Sequence, residues 1–277
     1  MHNHAQSNAN RKVELENFGK ICQWLQQRAG LHFPASKQAS LLNRLYQLCM
    51  QNNIPDIYTL HQYMQDDSIP GLRIKLLDTA TTNHTFFFRE EKVWDYFKAN
   101  IIPTFPANQP VRIWSAASSS GEEAYTFAIY LAEHFNTADL QNRASILGTD
   151  ISQTALTIAE AGCYKPTVIH TVPENIRSKY FHQTPDKMWQ VNDNLRRACM
   201  FRRLNLKANP WPFNKQFNLI ACRNVLYYFD TVDQKEVLSR MYQQTIKGGW
   251  LLTSVTESIR ELNSPWKMVT AGIYRKE

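Results

Sequence analysis

Through the first eighty residues the apolar positions recur at helical spacing. Leu15, Phe18, Ile21, Cys22 and Leu25 share one face, and Gly30 to Pro34 reads as the turn that follows. Leu41, Leu42, Leu45, Leu48 and Cys49 mark a second helix that Asn52 and Asn53 end. Ile57, Leu60, His61 and Met64 mark a third helix, and Leu72 to Leu77 a fourth. The pattern predicts an all-helical domain over 13–80, preceded by a polar, Asn- and His-rich stretch expected as a disordered tail over 1–12.

Beyond Pro103 short apolar runs alternate with helical segments, the mark of strand–helix–strand units around a parallel sheet. Strands are expected at Val111–Ala116, Ser145–Asp150, Phe217–Cys222 and Trp250–Val255, the last following a turn at Gly248-Gly249. Helices are expected at Glu122–Phe135, Ser152–Ala161 and Val232–Ile246. The stretch from about 166 to 203 breaks the alternation; Trp189–Val191 and Met200-Phe201 are expected to pair there as an inserted hairpin. Residues 81–92 read as a linker and 93–277 as the sheet domain.

Composition adds exclusions. With 43% hydrophobic and 20% charged residues over 277 positions, the chain reads as globular rather than disordered or fibrous. Five dispersed cysteines form no CxxC and no metal-ligand spacing, so reduced thiols and no metal are expected. No stretch approaches the roughly 18 apolar residues of a membrane span and no secretory leader is evident, so a cytoplasmic protein without membrane insertion is expected. The net charge of +7 is concentrated in 165–207, which holds nine basic and three acidic side chains. That segment is either a solvated face or a docking surface for something acidic.

Ligands of open α/β sheets bind beyond the carboxyl ends of the strands. Three candidate segments fall there. The loop Ala116 to Gly121 is built of small residues that admit a ligand to the backbone, and Glu122-Glu123 open the helix behind it. With Gly121 as its single glycine and acids in the first helical turn, it suits an ammonium or a ribose better than a pyrophosphate. Asp150 ends the second strand, where a carboxylate can accept hydrogen bonds from a ribose diol. Arg223-Asn224 follow a buried strand; the arginine requires a partner, and the asparagine offers both a donor and an acceptor. A fourth motif, Thr82 to Glu90, runs from polar residues through Phe86–Phe88 to Arg89.

These segments resemble the CheR family of chemotaxis receptor methyltransferases. Five blocks carry the resemblance, in the family's order: Thr82–Glu90, Trp114–Tyr125, Gly148–Ile151, Phe201–Leu206 and Cys222–Asp230. The resemblance implies an α/β fold: a class I, Rossmann-like S-adenosylmethionine methyltransferase sheet domain, a small inserted antiparallel β subdomain, and an all-helical N-terminal domain. It further implies a protein-glutamate O-methyltransferase that converts receptor glutamates to methyl esters and releases S-adenosylhomocysteine. By the same resemblance Asn83, Thr85, Arg89, Glu122, Asp150, Asn205, Leu206, Arg223 and Asn224 bind the cofactor, and Arg89 and Tyr228 lie beside the transferred methyl. The insert and the N-terminal helices would dock methyl-accepting chemotaxis receptors, with no direct nucleic-acid partner, and the chain is expected to be a monomer. The second helix departs from the family's usual basic character, carrying Arg44 alone with Lys37 just before it, and Ser254–Glu257 lacks the histidine usual there. An RNA methyltransferase using the basic insert and a non-enzymatic cofactor-binding adaptor are the competing readings.

The acceptor chemistry asks little of the protein. A glutamate with a pKa near 4.3 is already ionised at neutral pH and needs no general base. Acceleration is expected from alignment of oxygen, methyl and sulfur, and from a dry aromatic pocket formed by Phe86–Phe88 and Tyr227–Phe229.

Overall fold

A computed structural model describes residues 2–81, 84–135 and 140–277, with the side chains from residue 11 onward. The chain divides into two compact units, Met1–Thr82 with Tyr228–Asp230, and Asn83–Tyr227 with Thr231–Glu277.

The first unit holds four helices, α1 (His2–Ala29), α2 (Ala35–Gln51), α3 (Ile57–Asp66) and α4 (Leu72–Ala80). Phe18, Ile21 and Leu25 of α1 are buried, as are Leu41, Leu45, Leu48 and Cys49 of α2. Asp56 caps α3 by accepting the Thr59 N–H at 2.7 Å. The segment expected as a disordered tail is instead continuous with α1, having neither Gly nor Pro to break the helix. Arg44, the one arginine of α2, donates to the carbonyls of Thr79, Ala80 and Thr81 at 2.8, 3.3 and 3.0 Å. It thereby serves carbonyls at the end of α4 that have no helical partner, rather than an outside surface.

The second unit opens with α5 (Glu91–Tyr96), which passes into a wider π turn at Phe97–Ile101. There follow β1 (Val111–Ala116), α6 (Glu122–Phe135), β2 (Ala144–Asp150), α7 (Gln153–Ala161), β3 (Cys163–Tyr164), α8 (Pro166–Ile169), α9 (Glu174–Tyr180), β4 (Phe181–Gln183), β5 (Trp189–Val191), α10 (Asp193–Ala198) and β6 (Cys199–Arg203). The chain ends with β7 (Phe217–Cys222), α11 (Thr231–Gln243), β8 (Thr245–Leu252), β9 (Lys267–Thr270) and β10 (Ile273–Arg275). Among the described residues seven strands form one sheet in the order β6-β2-β1-β7-β8-β10-β9. The first five are parallel, and β10 runs antiparallel to both β8 and β9. β1 and β7 are buried at all but one position each, as parallel strands covered on both faces must be. The strand order reverses between β1 and β7, which makes the carboxyl ends there the switch point of the sheet.

Two local expectations change. Trp189–Val191 pairs with β3 and β4 in a separate antiparallel sheet, while Met200-Phe201 belongs to β6 and runs parallel to β2. The short helix α10 stands between the two segments and removes the hairpin, and Phe201 is drawn into the main core at 3% exposure. Gly248-Gly249 lies within β8, in an irregularity where Phe217 pairs with Thr245 but Leu219 with Trp250, rather than before the strand. Four cations of the basic stretch are paired: Arg177 with Glu174, Lys179 with Glu133, Arg196 with Asp193, and Lys207 with Asp233. Two of those acids, Glu133 and Asp233, come from outside the stretch and offset part of its net charge.

Candidate active site

The loop after β1 is held in an unusual backbone. Ala117, Ser119 and Gly121 take φ of +68°, +49° and +95°, and two of the three are not glycine. Strain of this kind persists where the surroundings over-determine it. Here Ser118 N–H donates to Thr149 O at 2.8 Å, and Ser119 N–H to Asp150 Oδ2 at 2.8 Å. The other carboxylate oxygen of Asp150 accepts the Ser152 N–H at 2.9 Å. Asp150 is therefore aimed by two backbone donors, each oxygen keeping further acceptor capacity.

Glycine is required twice beside this loop. A Cβ on Gly148 would lie 2.5 Å from the Phe201 ring and 2.9 Å from Ser118 Oγ. A Cβ on Gly121 would lie 2.8 Å from that of Ala159. The Ser118 and Ser119 hydroxyls are buried without a hydrogen-bond partner. Buried polar atoms are normally satisfied, so two orphaned hydroxyls on a strained loop at a sheet's switch point are what a polar ligand would complete.

Glu122 opens α6 at 2% exposure, and its carboxylate accepts the Ser120 hydroxyl at 2.8 and 2.9 Å. Burial pushes its carboxyl up to about 7, against the lowering effect of its own backbone amide and Ser120. A buried carboxylate so poised gains from a cation placed beside it.

Arg223, at the end of β7, has the partners its burial demanded. Its guanidinium donates to Glu123 Oε2 at 3.0 Å, Glu90 Oε2 at 3.2 Å and Arg89 O at 2.6 Å, and lies 5.3 Å from the Trp94 ring centroid. Burial alone would raise the Glu90 carboxyl; the Ser254 hydroxyl and Arg223 overcome that and hold it below its usual range. Asn224, at φ +58°, starts a loop fastened by Glu257. That carboxylate accepts the N–H groups of Asn224, Leu226 and Ser254 at 2.6, 2.9 and 3.2 Å. Burial still leaves the Glu257 carboxyl above its ordinary value, opposed by those amides.

The residues expected at the site are thus placed by four adjacent strands. Asp150 ends β2, Glu122 follows the β1 loop, and Arg223-Asn224 follow β7. Asn205 and Leu206 come just after β6, where Leu204 N–H donates to Asp150 O at 2.9 Å. Leu206 is buried, and the Asn205 side chain accepts the Lys207 N–H at 2.9 Å. Thr85 and Arg89 are half-buried, with Arg89 donating to His84 O at 2.9 Å. Asn83 lies outside the described residues. Tyr228 clusters with the helical unit, its carbonyl accepting the His32 N–H at 2.9 Å and its ring lying 5.4 Å from Lys37 Nζ. Of the two aromatic runs expected to line one dry pocket, Phe86–Phe88 and Tyr227 belong to the sheet unit, and Tyr228 and Phe229 to the helical one.

Comparison with known proteins identifies this arrangement. Residues 83–274 match the SAM-binding domain of CheR methyltransferases, and residues 16–81 match the all-alpha domain of the same proteins. The chain belongs to the CheR family. It is 30% identical over 275 residues to a chemotaxis protein methyltransferase of Borreliella burgdorferi, covering 97% of each chain. It is 31% identical over 259 residues to the chemotaxis protein methyltransferase Cher2 of Pseudomonas putida, covering 91% of this chain and 94% of that one. This CheR chain is therefore an S-adenosylmethionine-dependent methyltransferase, with the class I sheet domain, inserted antiparallel sheet and all-helical N-terminal unit of its family. The orphaned serine hydroxyls, the aimed Asp150 and the buried Glu122 suit a molecule that carries both hydroxyls and a cationic amine. No helix among the described residues of the CheR chain is long and apolar enough to cross a membrane.

Residue-by-residue inspection of the sequence overlooks Glu90, Glu123 and Glu257 as functional groups. The signal for the first two was the buried arginine, which needed counter-charges; both acids already stood in the quoted motifs. Glu257 stands in the Ser254–Glu257 segment already set beside the family's pattern, but its role is not local: it acts on a loop some thirty positions earlier.

Proposed function

We propose that the protein methylates glutamate side chains of methyl-accepting chemotaxis receptors, forming glutamate methyl esters. The observation that best supports this reading is the pairing at adjacent strand tips of a carboxylate aimed by two backbone amides, Asp150, with a buried carboxylate, Glu122, that has no ion pair among the described residues. When bound, S-adenosylmethionine supplies a methyl on a sulfonium, which passes to an acceptor carboxylate oxygen as the carbon–sulfur bond breaks, leaving S-adenosylhomocysteine. In this assignment Asp150 accepts from the ribose hydroxyls, with Asn205 and Leu206 beside the adenine, and Glu122 holds the ammonium. Arg89, with Thr85 and Asn83 on the same segment, orients the acceptor carboxylate or the donor. Arg223 acts by fastening the Arg89 carbonyl and Glu90, and Asn224 faces the donor from a loop that Glu257 holds. The role of Tyr228 beside the methyl rests on the sequence resemblance. A carboxylate acceptor is ionised at neutral pH, so the site needs no general base. Cys222 is no competing nucleophile: burial, with Glu257 and Glu123 nearby, holds its thiol protonated far above the ordinary value.

The test is incubation with methyl-labelled S-adenosylmethionine and receptor-containing membranes, followed by mild base. Methyl esters release labelled methanol, whereas N-methyl and ether products do not. Base-stable label, or none on any receptor preparation, would count against the glutamate assignment.

Glu122 gives the site a pH dependence. Below about 7 the free protein holds Glu122 protonated, and an ammonium must expel that proton in order to pair. Affinity for S-adenosylmethionine should therefore rise with pH by at most about tenfold per unit up to that value and level off above it. In Glu122→Gln the titration should flatten and affinity at pH 8 should fall. A wild-type profile that is flat from pH 5.5 to 8 removes Glu122 from the ammonium.

A further inference from the structure

A cavity of about 660 Å³ lies in the sheet unit away from the strand tips, between α5 and α6 and under Phe86–Phe88. Its lining on α6 comprises Ile129, Tyr130, Glu133 and His134, seven to twelve positions beyond Glu122, or about 10–18 Å along the helix axis. It is thus a separate site from the one assigned to the methyl donor. Its walls are aromatic: Phe88 meets the Tyr130 ring edge-on at 5.7 Å, and Tyr130 stacks on Trp94 at 5.6 Å.

Its ionisable groups include three acids, Glu91, Asp95 and Glu133. Glu91 and Asp95, on successive turns of α5, are exposed at the cavity and form no ion pair among the described residues. Both act on the Tyr130 phenol, which burial first and these two carboxylates next raise above its ordinary value. Glu133 also lines the cavity but is held by Lys179 and the Tyr180 hydroxyl, each at 2.5 Å. Lys98 and His134 complete the ionisable lining. Aromatic and aliphatic side chains beside two carboxylates without an ion pair among the described residues, in a volume suited to a small organic molecule, attract a cation with an apolar body.

We propose that this cavity binds a small organic cation, an aromatic or alkyl ammonium, at a site distinct from that of the methyl donor. Its body contacts Phe86, Phe88 and Tyr130, and its charge lies between Glu91 and Asp95. Phe86 also connects the cavity to the chemistry, because the Arg89 guanidinium sits 5.6 Å from the centroid of its ring. Occupancy therefore bears on a residue assigned to the methyl-transfer site.

The probe is 2-phenylethylammonium, with 2-phenylethanol as its neutral counterpart, titrated by calorimetry into full-length protein saturated with S-adenosylhomocysteine. The ammonium should bind saturably and at least tenfold more tightly than the alcohol. Binding should weaken at least tenfold in Glu91→Gln/Asp95→Asn, both exposed positions whose replacement leaves the fold and S-adenosylhomocysteine affinity intact. Equal affinity for ammonium and alcohol, no saturable binding, or an unaltered double variant would each overturn the proposal. Displacement of the probe as S-adenosylhomocysteine is raised would overturn it too, by placing the probe in the donor crevice. A methyl-transfer rate unchanged at saturating ammonium would overturn the link through Phe86 to Arg89.

Discussion

Arg223→Met is expected to lower the stability of the sheet unit by about 3–5 kcal/mol, the largest effect of any single substitution considered. The wild-type guanidinium, 2% exposed, pairs with both Glu90 and Glu123, themselves 17% and 14% exposed, and donates to the Arg89 carbonyl. Removing it leaves two carboxylates in a site with little water. The expense lies in the orphaned charges rather than in the loss of a favourable pair, since buried ion pairs are often matched by apolar residues of similar volume. Adding Glu90→Gln and Glu123→Gln to Arg223→Met should therefore recover a large part of the loss. Urea unfolding would measure both, and thermal unfolding should show a fall on the order of 10 °C for the single variant. If the triple variant is no more stable than the single one, unpaired carboxylates are not the cause.

The same cluster has a defined pH sense. Glu90 titrates below its ordinary value of 4.5 when folded, so its contribution is fully present above that value and is lost as pH falls through the lower folded one. The wild-type protein should lose part of its advantage over Arg223→Met below about pH 4.5, as the acid becomes neutral in both.

Asp150→Asn should weaken S-adenosylmethionine binding by about 10- to 100-fold, the value of one or two hydrogen bonds to a charged acceptor, at about 1.5–3 kcal/mol. The asparagine keeps the size of the side chain but gives up one acceptor oxygen, so Ser119 or Ser152 loses its carboxylate partner along with the ribose. Calorimetry reads the affinity, and turnover at saturating donor should fall less than affinity does. Unchanged binding would remove the ribose assignment, whatever the rate.

Much of this architecture can be read from local pattern. The helix Glu122–Phe135 buries nine of its fourteen residues, Ala124 to Ile129 without a break, as a helix covered on most of its surface does, and its length in the chain tells it from a strand. Val111–Ala116 and Phe217–Cys222 are mostly apolar, each broken at its second position by Arg112 or Asn218, because both faces of a parallel strand are covered. The β1 loop, Asp150 and Arg223-Asn224 were recognisable as a candidate site because each stands at the carboxyl end of a strand that the pattern marks plainly. Local reading failed where a partner far along the chain decided the outcome. Phe201 lies against Gly148, so β6 joins the main sheet instead of closing a hairpin with Trp189–Val191. Arg44, to which local pattern gives no role, is taken up by the carbonyls closing α4.

From the chain alone came the helical first part, the alternating second part, the strand tips where chemistry would gather, and the family to which the motifs point. Those depend on spacing and residue type, which hydrophobic burial turns into elements with little help from elsewhere. Folding in three dimensions decided which carboxylates face a partner and which do not. Glu90 and Glu123 meet Arg223, Glu257 meets a row of backbone amides, and Glu122 has no counter-charge among the described residues. A carboxylate's role is set by the dielectric and the donors around it, and those arrive from strands and loops up to about 160 positions away along the chain.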